Sequence, residues 1–181
     1  MLDSLPITKR EFNEIAIDLD LSDCNGSPEL VAAFSRKAVA VTCTENEVLF
    51  QKGEPGTSVY LVRSGEVSLL LPIARTRGIG FRAKPGSLVG LPAAFGNEPY
   101  SMTAIAWEDS EIAVMSRERF CDLVASDHAL SLDVRRPGQR ELRLLRPVLS
   151  AGIRSVCNEK GQPRHSSRLI LHWPEAKDAS P

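Results

Sequence analysis

Between positions 135 and 154 stand Arg135, Arg136, Arg140, Arg143, Arg146 and Arg154, opposed by a single acid, Glu141. Guanidinium groups at that density suit a phosphate or an acidic partner, because each forms charge-assisted bonds to planar anions. The commoner origin of such a run is the solvated face of an amphipathic helix, and that plainer reading is adopted here. Other chemistry-bearing residues carry less. Cys157, His165 and His172 match no spacing used for zinc, so no metal ligand is assigned. Cys24, Cys43, Cys121 and Cys157 form no C-x-x-C pair, which argues against a zinc site and a compact disulfide framework and for a reducing compartment. The sequence contains no nucleophile elbow, no phosphate-binding Walker loop and no H-E-x-x-H helix. No catalytic residue is assigned, no cofactor is implied, and the chain is not expected to be an enzyme.

The elements that must position any site fit one domain with appendages, since 181 residues with 43% hydrophobic and 25% charged residues can bury a proper core. Lys and Arg total 22 against 23 Asp and Glu, a formal charge of -1, so bulk attraction for nucleic acid or an anionic membrane is absent. The opening MLDSLPITKREF places charges where a signal peptide needs an apolar core, and no run reaches the length of a membrane span. A cytoplasmic protein with no membrane contact is expected.

Thr8 and Glu11 form a capping box opening a helix through Ile17. Ser27-Pro28-Glu29 signals a second helix, with Leu30, Val31, Phe34 and Ala38 on its apolar face. From Val39 the period approaches two, predicting strands at 39–43, 47–51, 58–64, 66–72, 79–83, 100–107 and 110–115. Ser64-Gly65 joins two of these runs so closely that a tight hairpin is expected, because glycine supplies the positive φ that such turns require. Ser116 opens a helix burying Phe120, Leu123 and Val124. Leu142, Leu145, Leu149, Ile153 and Val156 then form an apolar seam over 139–156, suited to a second copy or a protein partner. Pro147 interrupts it with a kink or break, at a cost of about 3 kcal/mol. The expected fold is mainly β with flanking helices, a sandwich or jelly-roll barrel. The units are an N-terminal helical segment at 1–27, the barrel with its helices at 28–156, and a polar tail at 157–181.

The phrasing VLFQKGEPGTSVYLVRSGEVSLLLP, followed by KPGSLVGLPAAFGNEPYSMTAIA, resembles the cyclic-nucleotide-binding domain of the Crp/Fnr regulators. The resemblance covers residues 28–150 and is strongest at Phe50 to Gly53, Tyr60 to Leu71 and Gly86 to Ala106. It implies a jelly-roll β-barrel of the double-stranded β-helix type. It also implies a phosphate-binding cassette in the third stretch, where a short helix offers backbone N–H groups to the cyclic phosphate, an arginine neutralises it and a glutamate takes the ribose 2'-hydroxyl.

Laid on this chain, the cassette runs through Gly90, Leu91, Pro92, Ala93, Tyr100 and Ser101. Leucine stands at the glutamate position, tyrosine at the arginine position, and Pro92 removes a backbone donor. Hydrogen bonds to charged groups contribute about 1.5–3 kcal/mol each, so losing several lowers affinity by orders of magnitude. Ordinary cAMP or cGMP binding is not expected. Either Leu91, Ala93, Ala94, Phe95 and Tyr100 fill the former pocket as core, or the pocket survives for a less charged effector. In the second case Tyr100 and Ser101 offer hydroxyls, and Leu91 and Phe95 supply apolar walls.

Regulators of this type carry a winged helix-turn-helix after their dimerisation helix, and the 26 residues after Ser155 are too few for one. DNA binding on the usual plan is not expected. The function implied is a stand-alone sensory or regulatory module answering to an unidentified small molecule. The alternative is a ligand-free scaffold that dimerises or binds a protein through 139–156.

Overall fold

The computed structural model describes residues 17–20, 25–74 and 77–134. Over these residues the order is β1 (Ile17–Asp20), α1 (Pro28–Lys37), β2 (Val39–Cys43), β3 (Val48–Phe50), β4 (Ser58–Ser64), β5 (Val67–Ala74) and β6 (Arg77–Ala83). There follow β7 (Leu88–Val89), α2 (Leu91–Gly96), β8 (Thr103–Ala106), β9 (Ser110–Ser116) and α3 (Arg117–Ala125), and residues 128–134 are again helical.

Two sheets result, with strand orders β1-β6-β5-β8-β3 and β2-β9-β4-β7. The β1–β6 pairing is parallel and every other pairing is antiparallel. This is the β-rich jelly roll with flanking helices that the sequence led us to expect, although among the described residues its sheets stay separate rather than closing edge to edge into a barrel. The helix expected from Thr8 falls outside the described residues except at its last position, Ile17, which instead opens β1 beside Ile79. The seam at 139–156, its arginines, Cys24, Cys157, His165 and His172 also lie outside the described residues.

Strand β4 explains how the layers are filled. Tyr60 and Val62 face the other sheet, joining Phe50, Leu69, Phe81, Val89 and Ile112 in the core between the sheets. Val59 and Leu61 alternate to the opposite face, where Leu30, Phe34, Leu91, Phe120 and Leu123 cover them with helices. A strand buried on both faces needs apolar residues in succession, as in the run Val59-Tyr60-Leu61-Val62. The helices are set locally: Ser27 Oγ accepts from Leu30 N at 3.1 Å and Ser116 Oγ from Arg119 N at 3.4 Å. Ser27 Oγ also donates to Asp133 at 2.6 Å, tying the 128–134 helix to the start of α1.

The expected hairpin at Ser64-Gly65 does not form. Strand β4 pairs with β7 and β9, whereas β5 pairs with β6 and β8, so the turn carries the chain from one sheet to the other. It packs against a second crossing turn at 107–110. Trp107 N donates to Glu66 O at 2.8 Å, and Ser110 Oγ accepts from Glu66 N at 3.1 Å. Gly65 adopts φ +78°, and a Cβ there would strike Ser110 Oγ and lie 2.6 Å from the Asp109 carbonyl oxygen. Gly65→Ala therefore combines backbone strain with an unyielding clash. A loss of about 2–4 kcal/mol is expected in urea denaturation, and an unchanged midpoint would show that the two turns separate freely.

Candidate functional site

The cassette occupies the link between β7 and β8. Gly90 starts α2 in the left-handed region at φ +88°, with no side-chain cap, and Pro92 sits in the first turn. A Cβ on Gly90 would lie 3.1 Å from Ser58 O and 3.2 Å from Tyr100 Cε1, so glycine lets the helix start press against both. Gly56 serves the same end from the opposite loop, where a Cβ would come within 2.5 Å of Ala93 Cβ.

Tyr100 is held at both ends. Its N–H donates to Glu54 O at 2.9 Å, and its carbonyl accepts from Gly53 N at 2.8 Å. Its phenol turns inward and is only 4% exposed. There the hydroxyl donates to Ser58 O at 2.8 Å and accepts from Ser58 N at 3.0 Å. The ring stacks on Phe50 at 3.9 Å and 20°, and Tyr60 lies 5.2 Å from Phe50. Burial first, then the neighbouring Tyr100, pushes the Tyr60 phenol above its ordinary pKa, so it stays neutral well into alkaline pH.

What remains open is a cavity of about 10 Å³ lined by Phe50, Leu69, Gly90, Pro92, Ala93, Tyr100, Ser101 and Met102. That is room for about one water, whereas small-molecule sites occupy roughly 300–1,000 Å³. No lining residue carries a charge. Of the six residues taken from the sequence, Gly90, Pro92, Ala93, Tyr100 and Ser101 meet here. Leu91 does not: it is 0% exposed and belongs to the helix-side cluster with Leu30, Phe34, Val59 and Phe120. Phe95, considered as a wall, is 49% exposed and leans on Phe120 with ring centroids 5.7 Å apart. Sequence reasoning missed Phe50, Ser58 and Tyr60, which read only as strand residues. For Phe50 and Tyr60 the one detectable signal is aromatic type inside strand runs, Ser58 carries none, and nothing local reports that the three converge on position 100.

Two further features lie apart from the cassette. A groove of about 480 Å³ runs between α1, α3 and the 128–134 helix, with Glu29 and Asp127 among its acids and Arg36 and Lys37 among its bases. Cys43 and Cys121 are free thiols, and burial, with Glu47 beside it, pushes the Cys43 thiol up and leaves it unreactive. Among the described residues no cluster of His, Cys, Asp and Glu could hold a metal ion, and no helix is long and apolar enough to cross a membrane.

The sandwich, the short helix between β7 and β8 and the glycine-paced turns define a jelly-roll domain. Residues 40–127 match the cyclic nucleotide-binding domain family. The fold is that of Crp/Fnr-type regulators. The Thermus thermophilus catabolite activator protein superposes with a TM-score of 0.60 at 24% identity, over 69% of this chain and 59% of that one. The c-di-GMP-responsive global regulator of Xanthomonas campestris gives 0.55 at 23% identity, over 68% and 62%. The N-terminal domain of a transcriptional regulator from Streptomyces coelicolor gives 0.52 at 21% identity, over 70% and 88%. This chain thus spans about six-tenths of the first two regulators. No curated protein sequence matches it.

Proposed function

We propose that this chain is a regulatory module of cyclic-nucleotide-binding type that does not take up cyclic mononucleotides in the family's manner and acts through protein contact rather than catalysis. The observation that carries this reading is the cassette's interior: about 10 Å³ of open space, an uncharged lining, and a tyrosine phenol bonded to Ser58 where a phosphate would need a cation. An anion placed there would lose its hydration without gaining a charged partner. The reading includes a jelly-roll unit with its helices at 28–156 and a cytoplasmic setting. It assigns the contact with a second copy or another protein to the apolar seam at 139–156. Of the two readings open from sequence, the near-closed cavity favours ligand-free action over a response to a small effector.

Titration calorimetry and thermal shift of the full chain with cAMP, cGMP and c-di-GMP test it. A ligand at 100 times its Kd would add about 2.7 kcal/mol and raise Tm by several degrees. We expect no saturable heat and a Tm unmoved at about 1 mM ligand, so tight saturable uptake of any of the three overturns the reading.

A further inference from the structure

We infer that the cassette of this chain is a binding site for a planar phenol, and that Tyr100 fills it from within as a permanent occupant. This rests on the reading that cyclic nucleotides are not taken up in the usual way.

The chemistry of the slot is specific. Phe50 supplies a parallel face at 3.9 Å, and Gly90 presents bare backbone against the ring edge. At the far end, Ser58 offers both an N–H and a carbonyl to one hydroxyl, at 3.0 and 2.8 Å. A hydroxyl that donates and accepts at once satisfies this pair, whereas a carboxylate or phosphate, having no proton to give, leaves the carbonyl unmet. The slot therefore selects a neutral aromatic ring with a hydroxyl at its tip. Pro92, Ala93 and Met102 complete an uncharged lining.

The occupant is also wired to the helices. Ser58 pairs with Ser116, the N-cap of α3, and the adjoining Thr57 carbonyl accepts from Arg117 N at 2.8 Å. Arg117 Nε in turn donates to Ala94 O of α2 at 2.7 Å. The phenol thus fastens the point where β4, α2 and the start of α3 meet. Holding the slot full keeps α2 and α3 in one arrangement without an external ligand.

Removing the ring and returning it as a free molecule tests the inference. In the full chain, Tyr100→Ala should lower Tm by roughly 10 °C and speed hydrogen exchange at amides 91–96 and 116–119. p-Cresol, the tyrosine side chain cut free, should restore several degrees in a saturable manner and slow those amides again. Toluene, which keeps the ring without the hydroxyl, should restore less than half as much, and cAMP nothing. A folded Tyr100→Ala that takes up no p-cresol, or cannot tell it from toluene, overturns the inference. If Tyr100→Ala does not fold, Tyr100→Phe decides: a Tm lower by a few degrees supports the hydroxyl's role, and a wild-type Tm refutes it. Loss of p-cresol rescue while the wild type stays silent to nucleotides sinks this inference alone, whereas nucleotide uptake by the wild type sinks the function proposed above.

Discussion

Leu91→Glu is expected to destabilise the protein by more than about 4 kcal/mol, a large part of the 5–15 kcal/mol that holds a typical domain folded. The substitution places a carboxyl at the family's ribose-binding position, yet Leu91 is fully buried among Leu30, Phe34, Val59, Leu61 and Phe120 and does not line the cassette cavity. Losing the leucine's apolar burial removes roughly 2–3 kcal/mol, and inserting a carboxyl without a hydrogen-bonding partner costs several more. Such a carboxyl enters the core neutral, so its folded pKa rises above the unfolded value of about 4.3. Its remaining stability is therefore fully present below about pH 4.3 and is lost as pH rises. Urea midpoints measured by circular dichroism should fall between about pH 4.5 and 7 for Leu91→Glu and stay level for Leu91→Gln. A Leu91→Glu chain that is stable at neutral pH and gains affinity for cAMP would show that α2 can rotate this position into the cavity.

Phe120→Ala is expected to cost about 3–5 kcal/mol. Phe120 is fully buried and stands edge-on to Phe34 of α1, with ring centroids 5.8 Å apart at 61°, while Phe95 of α2 approaches its other side at 5.7 Å. One ring from α3 thus joins α1 to the cassette helix. Each such aromatic pair contributes roughly 0.5–1.5 kcal/mol beyond the area it buries. Phe120→Leu should recover more than half of the loss, because it refills most of the volume. Alongside the urea midpoints, hydrogen exchange should show α2 opening sooner in Phe120→Ala than in the wild type. Equal protection of residues 91–96 would mean that α2 is held by the Arg117 bond to Ala94 O and the sheet contacts alone.

The proposed regulatory role follows from the same arrangement. On the reading proposed above, control comes through protein contact rather than through nucleotide arrival. The groove between α1, α3 and the 128–134 helix is a place where a partner's binding energy would act on α3.

Much of this protein was legible before any coordinate. Ser27-Pro28 and Ser116 start helices because a cap is a bond between residues three apart, and each predicted strand run between Val39 and Met115 holds a strand, whereas the two-residue β7 was too short to read. The departure at Leu91 and Tyr100 was likewise visible, because the loss of a carboxylate and a guanidinium is a matter of residue type. Tertiary structure alone decided the rest. Gly65 turns between sheets rather than within one because β4 finds its partners at β7 and β9, more than twenty residues away. Leu91 faces the helices and Tyr100 faces Phe50 because the chain between Gly90 and Thr103 is fastened to the loop at 53–57 and to Ser58. Bonds that span three or four residues can be read along a chain; the direction a side chain takes into a core depends on partners forty and fifty positions distant, which come together only when both sheets close on the same interior.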